Sequence, residues 1–283
     1  MQAWTTYRSL NAEQKAILAE KKLDLQRPVD ELLAILKPLA ACDTVANKAQ
    51  GRMGCTLAVM ILATLIAIVV FSNIGWGPVT LLAIVVILGA TIASGVFYGW
   101  LRGIDVSDNL RQFTVPVLAL FREDFDPKFP VHLRLDLSPP THKTKKTGEY
   151  EQLPQGRYYK IIDTTYVDPW MSADAVLTDG TKISWSVTDR IRERKKTKTN
   201  PRGKIKTKTK YRKVSDLEVN LALRTKSYAL ANAEVTADGK RSKVEVQRSV
   251  RSDSLDPINP RTLVDAITGV YRNARPAAKG TTA

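Results

Sequence analysis

Two long runs without a charged residue constrain this chain more than anything else in it. Cys55–Ile74 and Val79–Trp100 contain no Asp, Glu, Lys or Arg over 20 and 22 residues. As helices rising about 1.5 Å per residue, each covers a hydrocarbon layer of about 30 Å. Core helices of soluble proteins are seldom apolar all round for this length, and two in succession are rarer. The expectation is a two-helix transmembrane hairpin. Ser72–Pro78, between the runs, holds Gly75 and Gly77 for a tight turn and Pro78 to open the second helix. Trp76 at one end, with Tyr98 and Trp100 at the other, suits the aromatic belts of the two interfaces.

The flanks give an orientation. Lys48 and Arg52 precede the first run, Arg102 and Arg111 follow the second, and the turn carries neither Lys nor Arg. The positive-inside rule then puts both termini in the cytoplasm. The first run starts too late for the apolar stretch of a cleaved signal sequence. The localisation expected is integral to a membrane, with a bacterial inner membrane as the working assignment.

The chain divides into a helical segment over 1–54, the hairpin over 55–100, a helical connector over 101–130, a β-rich domain over 131–275 and a flexible tail over 276–283. In the first segment, Ser9 or Asn11 can cap a helix running through Ala12–Leu25, and Pro28 opens a second one. Val29, Leu32, Leu33, Leu36, Leu39 and Ala40 recur at helical spacing, and Pro38 should kink or restart that helix. In the connector, Asp108 can cap a helix over Leu110–Phe121, interrupted near Pro116. Beyond Pro130 the period changes to two. Val131–Leu137, Arg157–Val167, Ala173–Leu177, Lys182–Val187, Leu217–Leu223 and Lys243–Val250 read as strands, with turns at Asp179-Gly180 and Asp238-Gly239. Asn259 and Pro260 open a closing helix over 260–273. The fold class is thus an α+β membrane protein with an antiparallel β-rich cytoplasmic domain.

The charge is concentrated in one place. Residues 190–213 hold 13 Lys and Arg against one acid, Glu193, which accounts for +12 of the chain's +15. Lys204, Lys206, Lys208 and Lys210 alternate with Ile205, Thr207, Thr209 and Tyr211, and Asn200-Pro201-Arg202-Gly203 fits a type I turn. A β-hairpin arm follows, with about ten residues per strand and roughly 30 Å of reach, projecting from the domain. Like charges facing each other destabilise a hairpin unless they meet an anion. The candidate contact residues are Arg192, Arg194, Lys195, Lys196, Lys198, Arg202, Lys204, Lys206, Lys208, Lys210, Arg212 and Lys213. Their partner is an acidic protein surface, anionic lipid or nucleic acid, weighed against a plain solvated arm guarded by lysine. Thr141–Lys146 is a smaller basic loop that can join the same patch.

Catalytic signatures are missing: there is no G-x-x-x-x-G-K-[ST], no G-x-S-x-G and no H-E-x-x-H. Cys42, Cys55, His132 and His142 stand alone, and Asp163, Asp168, Asp174 and Asp179 read as turn or strand-edge residues. No cofactor and no metal is called for. Gly95 and Gly99 form a G-x-x-x-G that serves either packing within the hairpin or an oligomer contact. The reading is a membrane-anchored, non-enzymatic interaction or scaffold protein, with the lipid bilayer, an anionic partner and a homo-oligomer as associations. The alternative is an oligomeric membrane effector or pore-forming assembly with a cytoplasmic sensor domain; a membrane-bound enzyme ranks third.

Overall fold

The computed structural model describes residues 2–74, 77–229, 234–235 and 239–276. Gly75 and Trp76 of the expected turn, Asp238, and the tail from residue 277 lie outside the described residues. The architecture is mixed α and β, with long helices and an open antiparallel sheet. Two compact units form, one from residues 1–20 and 38–106, the other from 21–37 and 107–283.

The first unit contains α1 (Gln2–Ser9), α2 (Ala12–Glu20), most of α3 (Val29–Ile74) and α4 (Pro78–Ile104). Asn11 and Gln14 bond reciprocally at the start of α2, a capping box. α3 runs through Pro38 without a break, so the chain does not restart there. A proline inside a helix costs about 3 kcal/mol; burial of Leu36, Leu39 and Ala40 around it outweighs that cost. Two helices are long and apolar enough to cross a membrane, and only 6% and 0% of their most apolar windows are buried. Val59, Leu62, Val69, Leu82, Val85 and Val96 are exposed, which is unlike the core helices of a soluble protein. The Thr64 and Thr91 hydroxyls meet at 3.0 Å between α3 and α4, and Gln50 donates to the Leu101 carbonyl at 3.1 Å.

The second unit is built on a sheet. β1 (Lys22–Arg27), β2 (Val131–Asp136), β4 (Lys160–Val176), β5 (Lys182–Thr199), β6 (Ile205–Arg224), β9 (Arg241–Ser252) and β8 (Glu234–Val235) lie side by side in that order, and β3 (Lys146–Gln152) adds to β4. β7 (Tyr228–Ala229) and β10 (Arg275–Pro276) make a small separate pair. A π-helical turn at Leu110–Thr114, α5 (Val115–Leu120) and α6 (Pro260–Asn273) complete the unit. The apolar residues Leu133, Leu135, Ala173, Ile183, Trp185, Val187, Leu217, Val219 and Leu221 are buried on one face, with Leu263, Ala266, Ile267 and Val270 of α6.

Three sequence expectations are corrected here. The helix expected over Ala12–Leu25 stops at Glu20, because Lys21 takes a left-handed conformation (φ 54°) and turns the chain into β1. Leu23 and Leu25 then pair with Leu135 and Leu133 of β2. The two strands expected over Arg157–Val167 and Ala173–Leu177 are one continuous strand, β4, which starts at Lys160 and ends at Val176 and in which Trp170 bulges so that Pro169 needs no ladder hydrogen bond. Two lysines of the loop Thr141–Lys146 do not join the basic patch: Lys145 is buried, 2.8 Å from Asp168 and 3.4 Å from Asp136, and Lys146 pairs with Glu149 on the other face.

Candidate anion-binding face

β5 and β6 pair antiparallel from Lys182–Ala222 to Thr199–Ile205. The connection closes through Gly203 N donating to Asn200 O at 2.8 Å and Asn200 N to Lys204 O at 2.9 Å. Gly203 has φ 74°, which a side chain would strain, so a turn of this shape needs glycine there. Five residues separate the paired ends, and that length sets the register. Even-numbered residues of β5 oppose even-numbered residues of β6: Arg192–Arg212, Arg194–Lys210, Lys196–Lys208 and Lys198–Lys206. Opposed residues share a face. Both strands therefore present most of their cations on one face, with Arg190 completing the β5 column.

The other face carries charges of both signs, Glu149, Glu151 and Glu193 with Lys160 and Lys195. It carries Tyr166, Ile191, Glu193, Thr197, Ile205, Thr207, Thr209 and Tyr211, with Lys195 held 3.3 Å from Glu193. Buried Glu193 accepts hydrogen bonds from Tyr166 and Tyr211 at 3.2 Å each. Burial, and then the neighbouring Glu193 charge, push both phenol groups upward.

Of the sequence-predicted contact residues, Arg192, Arg194, Lys196, Lys198, Lys206, Lys208, Lys210 and Arg212 come together on the basic face. Arg202 and Lys204 sit in the exposed turn, and Lys195 points to the opposite side. Lys213 does not belong to the set. It is 2% exposed, bonded to Asp189 at 3.4 Å and to the Asp256 carbonyl, facing the interior. Arg194 is fixed by a two-pronged bond to Asp163 at 2.7 and 2.6 Å, which holds that carboxyl below the usual carboxylate range. Asp163 is thus an interior ion-pair partner, not a strand-edge residue. Arg190 pairs with Asp216 at 2.7 Å, and Arg212 approaches Asp253 at 3.9 Å. Among the described residues no carboxylate pairs with Arg192, Lys196, Lys198, Lys206, Lys208 or Lys210.

The hairpin is also less free than its sequence suggests. β4 pairs with β5 as far as Lys160–Thr197, and β3 pairs with β4 as far as Gln152–Ile161. The basic face is therefore the outer end of a four-stranded sheet, and only its tip is two-stranded. That arrangement brings in residues the sequence did not single out. Tyr150, paired with Asp163 and 62% exposed, lies on the basic face. The Lys196 and Lys198 ammonium groups lie over the Tyr158 ring, at 5.4 and 5.7 Å from its centre. A surface groove of about 400 Å³ is lined by Arg192, Arg194, Lys196, Lys210 and Arg212, together with Thr209, Tyr211 and Asp253. A second groove of about 460 Å³ at the far end of the sheet has mixed charge, from Asp174, Lys182, Lys243 and Glu245.

Behind the basic end sits a buried ionic layer. Asp168 and Asp189 face each other across β4 and β5, bracketed by Lys145 and Lys213. Ser215 donates to Asp189 at 2.6 Å. Burial raises the Asp168 carboxyl to about 6 despite the Lys145 ammonium. Burial also works against charged Asp136, but bonds from Ser138 and Lys145 outweigh it, and that carboxyl falls below its usual range. These aspartates are structural ion-pair members within the sheet.

In the apolar helices, a Cβ added at Gly95 or Gly99 meets nothing within 4 Å. The G-x-x-x-G therefore does not pack against α3. Cys42 is buried, and Cys55 is exposed. His132 lies 2.6 Å from Asp24, and His142 bonds within its own loop. Among the described residues, no three His, Cys, Asp or Glu side chains gather into a metal-holding group. Comparison with known families, curated proteins and solved structures finds no match to this chain.

Proposed function

We propose that this chain is a membrane-anchored, non-enzymatic interaction or scaffold protein, with both termini in the cytoplasm, whose β-rich unit engages an anionic surface. The observation carrying this reading is the common face of the β5 and β6 cations, six of them without a carboxylate partner among the described residues. Four successive cation-on-cation rungs cost stability in isolation, since like charges directly opposite repel. An external polyanion relieves that repulsion.

The test uses full-length protein in neutral detergent and long-chain polyphosphate. Replacing Lys206, Lys208 and Lys210 by Gln is expected to weaken binding at least about tenfold. It should also reduce the log–log salt slope by about 2–3, close to one per cation removed. Thr207→Gln, on the opposite face of the same strand, should leave both unchanged. Equal affinity and slope in the lysine variant would remove the face from the function.

The oligomeric assembly remains the second reading, supported by the open space over Gly95 and Gly99. Small residues let helices from separate copies approach closely. Gly95→Ile with Gly99→Ile should convert an oligomer to a monomer in detergent gel filtration while leaving the bond-forming Thr64 and Thr91 pair intact. An unchanged elution volume for an oligomeric parent would sink that contact.

A further inference from the structure

We infer that the partner of the basic face is a layer of phosphate-bearing anionic lipid headgroups lying flat against the rungs Arg192–Arg212 to Lys198–Lys206. The inference rests on the function proposed above and narrows it to one partner. Width is the first argument. The three inner rungs stand on a sheet in which β4 flanks β5 and β3 flanks β4. Four strands about 4.8 Å apart span roughly 15–20 Å. The major groove of duplex DNA, about 12 Å wide, admits a two-stranded ribbon but not a sheet of this breadth.

The second argument concerns single strands. Proteins that bind them offer successive aromatic rings for base stacking. Here Lys196 and Lys198 lie over the Tyr158 ring, and the exposed Tyr150 and Tyr159 come from separate segments, so among the described residues the rings form no successive row along one strand. The third is dimensional. Rungs recur about every 6.6 Å along the strands, and each carries two cations about 5 Å apart. This two-dimensional array of long, flexible cations is complementary to a two-dimensional array of phosphates. An acidic protein would have to present carboxylates in register at four rungs at once. Finally, the chain is continuous with two helices long and apolar enough to cross a membrane. A tethered surface is met at millimolar effective concentration, so even weak rungs suffice.

The experiment is amide hydrogen exchange on the full chain in nanodiscs, made either of phosphatidylcholine alone or with roughly a third phosphatidylglycerol. The amides of residues 204–212 are the readout, since among the described residues β6 has no second neighbour along that stretch. They should exchange at least about tenfold more slowly in the anionic discs, and the difference should disappear when salt rises from about 0.05 M to about 0.5 M. Lys206, Lys208 and Lys210 to Gln should abolish it, because each cation at an anionic surface contributes about fivefold. Thr207→Gln should keep it. Equal exchange in both discs overturns the lipid assignment. If a single-stranded oligonucleotide or polyglutamate added to the neutral discs then slows the same amides, the general anion-binding function stands with a different partner. If nothing slows them, both readings fall.

Discussion

Lys213→Met is expected to destabilise the β-rich unit by about 3–5 kcal/mol, whereas Lys210→Gln, three residues earlier, should change its stability by less than about 0.5 kcal/mol. Both lysines belong to one basic run and one strand. Lys213 is 2% exposed and bonded to Asp189 and the Asp256 carbonyl, while Lys210 stands in solvent on the basic face. Removing Lys213 leaves the Asp189 carboxylate buried, with Ser215 as its remaining side-chain donor. An uncompensated buried charge accounts for most of the expected loss. The measurement is the urea midpoint of the full chain in detergent, read by amide exchange over β5 and β6. A second variant separates charge from packing: adding Asp189→Asn to Lys213→Met should recover a substantial part of the loss. If Lys213→Met and Lys210→Gln shift the midpoint equally, Lys213 is not the interior anchor described above.

That contrast marks where sequence reading ends. Alternation along Lys204–Tyr211 assigns a face to each residue of β6, because the strand period is two. It says nothing about which face the cations of β5 share. That depends on register, and a slip of one residue would have moved Arg192, Arg194 and Lys196 to the opposite side. The register follows from the five-residue connection around Gly203, a three-dimensional fact. Inside and outside were equally hidden in the basic run. Lys213 is interior because Asp189 and the 252–256 segment come to it, and neither is near in sequence. The two apolar helices were legible for the opposite reason: length and absence of charge are local properties, needing no partner. β3, with the sequence KTGEYEQ, has no apolar alternation to betray it and exists because β4 offers it an edge. β1 hid behind a helix-forming stretch, its two leucines too few to announce a strand before β2 paired with them. The candidate face was thus half readable: its charge from the sequence, its one-sidedness and its aromatic margin only from pairing.

The Asp168→Asn variant should flatten the unit's stability between about pH 4 and pH 6. Asp168 is 1% exposed and faces Asp189 across the β4–β5 ladder. Burial is the largest influence on it and lifts its carboxyl from 3.8 to about 6; Asp136 and Asp189 push the same way, and the Lys145 ammonium at 2.8 Å opposes them. In the unfolded chain the group titrates near its ordinary value, so the folded state holds the proton more tightly. Its contribution to stability is therefore fully present below about pH 4 and is lost as pH rises through about 6. The size of that loss is about 3 kcal/mol, from 1.36 kcal/mol for each pH unit of the difference. Asparagine keeps the shape and does not titrate. The stability of the variant minus that of the parent should thus grow by about 3 kcal/mol from pH 4 to pH 7 and stay level beyond it. Asp136, whose carboxyl is held below its usual range, loses its contribution only as pH falls below about 4, so it does not enter this window. The difference is measurable as paired urea midpoints across the pH series, read by amide exchange over β4 and β5. A constant difference over that range would mean that Asp168 stays ionised beside Lys145. The buried layer would then be a closed set of ion pairs rather than a site that takes up a proton when the surroundings turn acidic.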